Sequence, residues 1–201
     1  VTGVQTCALP ILNIDASTGW LRGVRRFVSP NFDDRPPGVE LGLIVVHGIS
    51  LPPGQFGNGW IERFFANDLP PSEHPYFATI AELEVSAHML VARDGALTQF
   101  VPFHKRAWHA GRSAHCGRTA CNDFSVGIEL EGTDDLPYAK PQYRSLASLI
   151  LALRRAYPSL RTAEVVGHSD IAPGRKTDPG PAFDWAELGR QLGSLPSRVA
   201  T

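Results

Sequence analysis

The chain has 201 residues, of which 43% are hydrophobic and 19% charged, enough apolar material for one ordinary globular core. Its 19 basic and 20 acidic side chains leave a formal net charge of -1, too balanced for the positive field that non-specific nucleic-acid binding requires. No run of residues approaches the roughly 18 consecutive apolar residues needed to span a bilayer. We therefore expect a single domain with neither nucleic acid nor a membrane as its partner.

The first twelve residues (VTGVQTCALPIL) differ in character from the rest of the chain. The sequence does not begin with methionine, and this run looks like translated sequencing-adapter read-through, so we predict that residues 1–12 are non-native and that residues 13–201 form one domain. Outside that run only Cys116 and Cys121 remain, spaced too loosely for a zinc knuckle and without a second pair. Two reduced thiols are the favoured interpretation, and a disulfide is the alternative.

The first predicted elements are a buried strand, a loop and two helices. Leu41–His47 (LGLIVVH) is almost wholly apolar, which is typical of a strand buried on both faces of a sheet, with His47 at its C-terminal end. Prolines and glycines fill Ile49–Gly59 and predict a loop that borders a cleft. A helix follows over Trp60–Asn67, and a second short helix follows Pro75.

The middle of the chain predicts a hairpin and a strand with two unlike faces. Asp94-Gly95 is the strongest short turn signal and separates antiparallel strands over residues 86–93 and 96–101. In Ser125–Glu131 (SVGIELE), apolar residues alternate with polar ones at the period of a strand. Glu129 and Glu131 therefore point the same way.

The last third predicts a helix over Ser145–Tyr157, a strand over Ala163–Val166 that leads into Gly167-His168, and a closing helix over Phe183–Leu192. Prolines and glycines between His168 and Ala182 argue against a regular helix there. Strands and helices interleave along the chain, so the predicted fold class is α/β (α+β), a mixed central β-sheet flanked by helices.

Two histidines at the C-terminal ends of predicted strands, His47 and His168, can meet at one edge of a sheet, where ligand sites are favoured. Asp178 follows His168 by ten residues and precedes Pro179, whose ring favours an extended backbone at Asp178. Two imidazoles and a carboxylate are ligands that zinc accepts, and they leave a fourth position for water, as in a catalytic site. The pattern thus predicts a catalytic metal site at these three residues.

Spacing alone leaves other interpretations open. A histidine that ends an apolar strand is more often a hydrogen-bonded core residue than a metal ligand. Five other histidines compete for the role: His74, His88, His104, His109 and His115. Of these, we expect His88 to be a core or supporting residue. His104 and His109 lie in a polar loop, where surface exposure, substrate contact and metal binding all stay open.

Three further side chains are candidates for the chemistry. Lys176 lies two residues before Asp178, so in an extended backbone both side chains project to the same side; otherwise it is a solvated loop lysine. Glu129 follows Gly127, whose lack of a side chain allows a close approach to the strand; otherwise it is a solvent-facing glutamate. On physical grounds Glu131 cannot be separated from Glu129.

Six separated stretches, read in order over about residues 19–185, carry a family resemblance: LIVVHGISLPPGQFG, EHPYF, VSAH, KRAWHAG, CNDFSVGIELEGTD and GHSDIAPGRKTDPGPAFDW. Together they resemble the 1,6-anhydro-N-acetylmuramyl-L-alanine amidase (AmpD) family, which shares its fold with phage-lysozyme-type amidases and peptidoglycan-recognition proteins. The resemblance implies zinc ligands at His47, His168 and Asp178. It also implies a catalytic glutamate at Glu129, in preference to Glu131, and a catalytic lysine at Lys176.

The resemblance has one visible departure. The family commonly carries Asn directly after the first zinc-binding histidine, whereas this chain has Gly48, so a side-chain contact to substrate is expected to be missing. Arg106 and Arg118 are candidates to meet the carboxylates of the peptide, because a guanidinium fork matches that geometry.

The function implied by the resemblance is zinc-dependent hydrolysis of the amide bond between the lactyl group of (1,6-anhydro)-N-acetylmuramic acid and L-alanine, in peptidoglycan recycling. Glu129 would accept a proton from the attacking water, and Lys176 would stabilise the negative charge that develops on the carbonyl oxygen. We expect a monomeric cytoplasmic enzyme that acts on an anhydromuramyl tri- or tetrapeptide. The alternatives are a lytic amidase acting on intact cell wall, a non-catalytic peptidoglycan-recognition module, and an α/β domain with purely structural histidines.

Overall fold

The computed structural model describes residues 11–193. Most of the segment 1–12, which we predicted to be non-native, and residues 194–201 of the predicted domain lie outside the described residues. Leu12 belongs to the described part, where it packs against the main hydrophobic core, and its carbonyl oxygen accepts a hydrogen bond from Arg155 Nη2. The predicted boundary between residues 12 and 13 stays a prediction.

The described residues form strands and helices that alternate along the chain. The strands are β1 (Ile14–Asp15), β2 (Trp20–Leu21), β3 (Arg25–Arg26), β4 (Phe32–Asp33), β5 (Leu43–Ile49), β6 (Met89–Val91), β7 (Leu97–Gln99), β8 (Arg106–Ala107), β9 (Ala114–His115), β10 (Arg118–Thr119), β11 (Ser125–Glu131) and β12 (Glu164–Gly167). The α-helices are α1 (Trp60–Phe65), α2 (Pro75–Ala78), α3 (Lys140–Ala156), α4 (His168–Ile171) and α5 (Trp185–Gln191).

A six-stranded mixed sheet forms the centre of the fold, in the order β12-β5-β11-β6-β7-β3. β12, β5, β11 and β6 pair in parallel, whereas β6 and β7 form the predicted antiparallel hairpin around Asp94-Gly95, with Val91 opposite Leu97. Parallel strands in the middle of a sheet are covered on both faces, which explains the apolar run of β5. The predicted fold class, a mixed sheet flanked by helices, is confirmed.

The two faces of the sheet differ in what they pack against. On one face, Val126, Ile128 and Leu130 of β11 pack in the main core with the apolar side of α3. The alternate residues of β11, including Glu129 and Glu131, point to the opposite face, as the alternation predicted. All seven residues of β11 are nevertheless buried, so the polar face of this strand is enclosed and not open to solvent.

Two helix predictions need correction. α3 begins at Lys140, five residues before the predicted start. Pro141 fits in its first turn, because no backbone N–H is needed as a donor there. Gln142 Oε1 accepts the backbone N–H of Ala139 and so caps the start of the helix. The prediction of no helix between His168 and Ala182 is wrong for its first residues, because α4 completes one turn before Pro173. The N-terminal end of α4 is closed by Asp170 Oδ2, which accepts the backbone N–H of Gly167.

None of the helices in the described part of the chain combines the length and the apolar composition that crossing a lipid bilayer requires.

Candidate metal centre and cavity

A cavity of about 560 Å³ opens on the face of the sheet away from α3. His47, Glu129, His168, Lys176 and Asp178 all line it, so the five residues singled out from the sequence share one space. Its volume lies within the range of small-molecule sites. Apolar and aromatic residues line the same cavity: Ile49, Leu51, Phe64, Phe65, Tyr76, Ile80, Leu83, Val85 and Trp108.

Three donor atoms converge at the end of this cavity. His47 Nδ1 lies 3.0 Å from His168 Nδ1 and 3.2 Å from Asp178 Oδ2, and the His168 and Asp178 atoms are 3.1 Å apart. Around a tetrahedral zinc ion with bonds of about 2.0–2.1 Å, neighbouring ligand atoms are roughly 3.3 Å apart. The predicted trio therefore has the spacing of ligands that share one ion.

Local structure brings these residues together from distant parts of the chain. His47 lies on β5 beside β12, and His168 is the first residue of α4, directly after β12. The loop that carries Asp178 is tied to α4 by a hydrogen bond of 3.0 Å from the Ser169 backbone N–H to the Asp178 carbonyl oxygen. The absence of a side chain at Gly167 lets the ring of Pro179 pack closely against the end of β12.

A chain of hydrogen bonds sets the tautomer of His47. Ser125 Oγ lies 2.6 Å from the carbonyl oxygen of Cys121 and must donate its proton there, so it accepts from His109 Nε2, 3.0 Å away. His109 Nδ1 then carries a lone pair and accepts from His47 Nε2, at 2.9 Å. His47 Nδ1 is left without a proton, and its lone pair points into the trio.

His168 has the same tautomer as His47, with its proton on Nε2, but a different contact sets it. Its Nε2 lies 3.3 Å from the carbonyl oxygen of Ala110, which can only accept, so the proton resides on Nε2 and Nδ1 carries a lone pair. Two imidazole lone pairs and a carboxylate oxygen thus face one another about 3 Å apart and repel unless a cation lies between them. This donor set fits a divalent metal ion.

Burial keeps the ligands in the required protonation states. Burial lowers the pKa of His47 to about 4 and holds the pKa of His109 well below its usual value, so both rings are neutral at pH 7. Burial alone would raise the pKa of Asp178, but hydrogen bonds from His168 and His47, which require a proton on a ring nitrogen that faces the carboxylate, outweigh it and hold the pKa below its usual range. Asp178 is therefore an anion, and a metal ion that takes the place of that proton keeps it so.

Glu129 and Glu131 lie on one face of β11 but have different partners. Glu131 accepts the backbone N–H of Gly57 at Oε1, at 2.7 Å, and that of Arg93 at Oε2, at 3.1 Å, which fixes the two loops beside it. Glu129 Oε2 is buried and has no hydrogen-bond partner among the described residues. Burial, and then the charge of Asp178, raise the pKa of Glu129 well above its usual value.

Because Glu129 Oε2 has no hydrogen-bond partner among the described residues, the carboxyl group of Glu129 is free to exchange a proton. It lies beside His47 across the paired strands β11 and β5 and lines the same cavity as the trio. An acid–base group works best when its pKa approaches the operating pH, and burial moves Glu129 in that direction. The contacts of Glu131, by contrast, are those of a structural residue.

Lys176 is exposed at the rim of the cavity, where its ammonium group is free to meet a ligand. Its charge opposes the rise in the pKa of Glu129 and contributes to the lowered pKa of His47, so it acts on both groups electrostatically. Its backbone N–H donates to the carbonyl oxygen of Ala172, which holds the loop near α4.

The hydroxyl group of Tyr138 occupies the space beside Gly48 that a side chain at position 48 would need. A Cβ atom built on Gly48 would overlap the Tyr138 hydroxyl, and one built on Gly132 would overlap the ring. The hydroxyl donates to the carbonyl oxygen of Pro179, at 3.0 Å, next to Asp178. In this chain the space beside His47 is therefore filled by Tyr138, which also supports the loop of the third ligand.

The other histidines lie outside the trio. His88 is fully buried and accepts the backbone N–H of Gly127 at 3.0 Å, as expected for a core residue. His104 is exposed. His109 is buried, because its ring packs over Gly127 and contacts His47, so surface exposure is excluded for it, whereas its position in the cavity lining leaves contact with substrate open. Gly127 was the sequence signal for this contact, because its lack of a side chain predicted that another group approaches the strand closely. It did not indicate which residue that would be.

Neither of the two candidate arginines lines the cavity. The guanidinium group of Arg106 is held by the carboxylates of Asp33 and Asp123, and its proposed contact with the peptide stays a prediction. Arg118 lies over the ring of Phe124, 3.8 Å from its centroid, and does not line the cavity. Cys116 and Cys121 are both free thiols, as favoured.

Comparison with known proteins places these features in a family. The model of the N-acetylmuramoyl-L-alanine amidase family (Amidase_2) matches residues 38–181. The 1,6-anhydro-N-acetylmuramyl-L-alanine amidase AmpD of Escherichia coli (strain K12) is 58% identical over 170 residues, 85% of this chain and 92% of the relative.

Solved structures agree with the sequence matches. A crystal structure of a selenomethionine derivative of AmpD has a TM-score of 0.84 and 54% identity, covering 87% of this chain and 97% of that chain. The amidase AmiD from E. coli, solved with the substrate anhydro-N-acetylmuramic acid-L-Ala-D-gamma-Glu-L-Lys, has a TM-score of 0.55 and 26% identity, covering 83% of this chain and 67% of that chain.

Proposed function

The chain belongs to the N-acetylmuramoyl-L-alanine amidase family, and we propose that it uses zinc, held by His47, His168 and Asp178, to hydrolyse the amide bond between the lactyl group of 1,6-anhydro-N-acetylmuramic acid and L-alanine. One observation carries the proposal: three proton-free donor atoms lie 3.0–3.2 Å apart in a cavity that they share with the unpartnered carboxylate oxygen of Glu129.

Zinc is the ion that suits this donor set. Two neutral imidazoles and one carboxylate, with a fourth position left for water, are typical of catalytic zinc sites, whereas magnesium and calcium prefer oxygen ligands alone. When bound there, zinc supplies a water molecule with a pKa lowered to about 7 and a positive charge that polarises the amide carbonyl. The protein contributes the orientation of the ligands, through His109, Ser125 and the Ala110 carbonyl.

The proton transfers fall to Glu129. Its carboxylate takes the proton of the attacking water and then returns it to the nitrogen of L-alanine as the amide bond breaks. Both transfers require a carboxyl group that is not already engaged, which is the state of Glu129 and not that of Glu131. The ammonium group of Lys176, at the rim, offsets the negative charge that develops on the carbonyl oxygen.

The substrate we propose is a small anhydromuramyl tri- or tetrapeptide, because two relatives that are 58% and 56% identical to this chain are 1,6-anhydro-N-acetylmuramyl-L-alanine amidases. The apolar and aromatic residues of the cavity lining offer a surface for the sugar ring, and the ligand trio and Glu129 line the same cavity. We further propose that residues 13–201 form one catalytic domain that works as a cytoplasmic monomer in peptidoglycan recycling.

The decisive experiment assays the purified full chain, with and without a chelator, on an anhydromuramyl tripeptide and on intact sacculi. We expect one catalytic zinc ion per chain, cleavage of the tripeptide, and loss of turnover in chelator that added zinc restores. Comparable rates on sacculi would favour a lytic amidase instead. Binding of the tripeptide without cleavage would favour a non-catalytic recognition module.

The role of Glu129 is tested by Glu129→Gln. We expect kcat to fall about 10²–10⁴-fold with zinc content unchanged, since the amide cannot accept a proton. Glu131→Gln is the matched control, because it removes a buried carboxylate from the same face of the same strand. Near-normal turnover in zinc-loaded Glu129→Gln would show that Glu129 is not the base, and an equal loss in both variants would indicate a structural effect.

A further inference from the structure

A second group of metal-ligand side chains lies away from the cavity, on the β9–β10 hairpin. His115 ends β9, Cys116 is in the turn, and Glu164 is the first residue of β12; one ligand atom from each lies within 4.8 Å of the other two. Glu164 precedes His168 by four residues along an extended strand, a distance of about 13 Å. The hairpin group is therefore distinct from the catalytic trio.

The contacts within the hairpin group argue against a proton relay. His115 Nε2 lies 2.7 Å from Glu164 Oε2 and 3.5 Å from Cys116 Sγ. In a cysteine–histidine–acid triad the imidazole uses one nitrogen toward the thiol and the other toward the acid. Here both partners approach the same nitrogen, so the three donors converge on one point, as ligands do around an ion.

The spacing of the donors suits a tetrahedral ion. With a Zn–S bond of about 2.3 Å and a Zn–N bond of about 2.05 Å, sulfur and nitrogen ligands are about 3.5 Å apart, which is the separation of Cys116 Sγ from His115 Nε2. Oxygen and nitrogen ligands are roughly 3.3 Å apart, whereas Glu164 Oε2 lies 2.7 Å from His115 Nε2, so Glu164 must move outward by about 0.6 Å. Its side chain is 64% exposed and has the freedom to do so.

Backbone preference does not explain why a cysteine occupies position 116, because the φ angle there is positive. Cys116 and Gly117 form a two-residue turn with φ of 46° and 79°, a conformation in which Asn, Asp and Gly are usual. The turn places a thiol beside an imidazole and faces both toward β12. A thiolate and a carboxylate together balance the charge of a divalent ion, and sulfur with nitrogen selects a borderline ion in preference to magnesium or calcium.

We propose that His115, Cys116 and Glu164 form a second site, for a borderline divalent ion such as zinc, that joins the β9–β10 hairpin to β12. Three protein ligands and a water molecule complete its coordination. The bound ion ties the hairpin to the strand that leads into His168, without contributing to the cavity.

Cobalt(II) tests the proposal, because only a thiolate ligand gives cobalt an intense charge-transfer band in the near ultraviolet, and the catalytic trio contains no thiolate. We expect the metal-free full chain to bind two equivalents of cobalt, one of which produces the band. Cys116→Ser should bind one equivalent and lose the band, while its amidase turnover with one equivalent of zinc stays unchanged.

Two further variants complete the test. Cys116→Gly places the residue that the turn prefers, so its fold is secure, and it should also lose the band. Cys7→Ser, which leaves the hairpin untouched, should keep both the band and the second equivalent. A wild-type chain without the band, or a band that survives in both Cys116 variants, would overturn the proposal.

Discussion

The two groups of side chains that could hold a metal ion contain the same number of donors but differ in their surroundings. The side chains of His47 and His168 are 2% and 4% exposed, and further hydrogen bonds hold the second nitrogen of each ring. The hairpin group is at the surface, where Cys116 lies in a turn and the Glu164 side chain is largely solvated. A catalytic centre thus needs a cavity and supporting contacts in addition to a donor set, because these orient the ligands and leave a place for substrate.

The largest expected effect is on turnover, which should fall when a residue of the buried trio is replaced but not when a residue of the hairpin group is replaced. His168→Ala should lower turnover of the anhydromuramyl tripeptide at least about 1,000-fold and remove the catalytic zinc, because a water with a pKa near 7 is then no longer available. His115→Ala should keep turnover within about twofold of wild type. Steady-state assays with metal analysis measure both. Retained activity in His168→Ala would refute the catalytic role of the buried trio.

The next effect tests the support behind the buried centre. His109→Phe keeps a ring of similar size but removes the acceptor for His47 Nε2–H, so we expect zinc affinity to fall about 10–100-fold. Competition with a chromophoric chelator at fixed pH measures the affinity, and His104→Ala on the exposed loop is the control. If His109→Phe bound zinc as tightly as wild type, the tautomer of His47 would not depend on His109.

A smaller effect concerns the packing beside the first ligand. Gly48→Ala should lower the free energy of unfolding by about 1–3 kcal/mol, because its Cβ overlaps the Tyr138 hydroxyl. In a Tyr138→Phe background the same substitution should cost much less, since the ring carbon that bears the hydroxyl is 3.6 Å away. Urea unfolding of the four proteins gives the coupling energy. Equal costs in both backgrounds would contradict the predicted overlap.

The smallest effect contrasts buried with exposed imidazoles. Burial lowers the pKa of His88 to about 3, whereas an unfolded histidine has a pKa of about 6.5. Between these values the unfolded chain binds a proton that the native chain does not. The free energy of unfolding contributed by His88 is therefore fully present above about pH 6.5 and falls with decreasing pH, by up to about 1.4 kcal/mol per unit.

His88→Gln retains an acceptor for the Gly127 N–H and a donor for the Lys105 carbonyl but does not titrate. Its unfolding free energy, measured from pH 7.5 to pH 5, should fall less steeply than that of wild type. His74→Gln, in which a partly exposed histidine is replaced, is the matched control, and its slope should differ from that of wild type by less than the slope of His88→Gln does. An unchanged slope in His88→Gln would show that His88 contributes nothing to the acid sensitivity.

Much of the fold was predictable because its signals are local. The apolar run that forms β5, the Asp94-Gly95 turn and the proline-rich segment after His168 each restrict the backbone of their own residues. The start of α3 was missed, because its first turn contains Pro141 and polar residues that resemble a loop. The family resemblance and the mixed sheet are confirmed.

By itself, the sequence placed His47 near the C-terminal end of an apolar strand, two residues before β5 ends at Ile49, and placed His168 directly after another strand, so it indicated that these two imidazoles can reach one edge of the sheet. The family resemblance preferred Glu129 to Glu131, but only the tertiary structure showed the physical difference between them, in their hydrogen-bond partners. It also brought His109 to His47 across 62 positions and placed Glu164 beside His115 across 49. The reason is physical: strand period and turn chemistry act over a few residues, whereas hydrogen-bond partners and burial depend on which distant segments pack together.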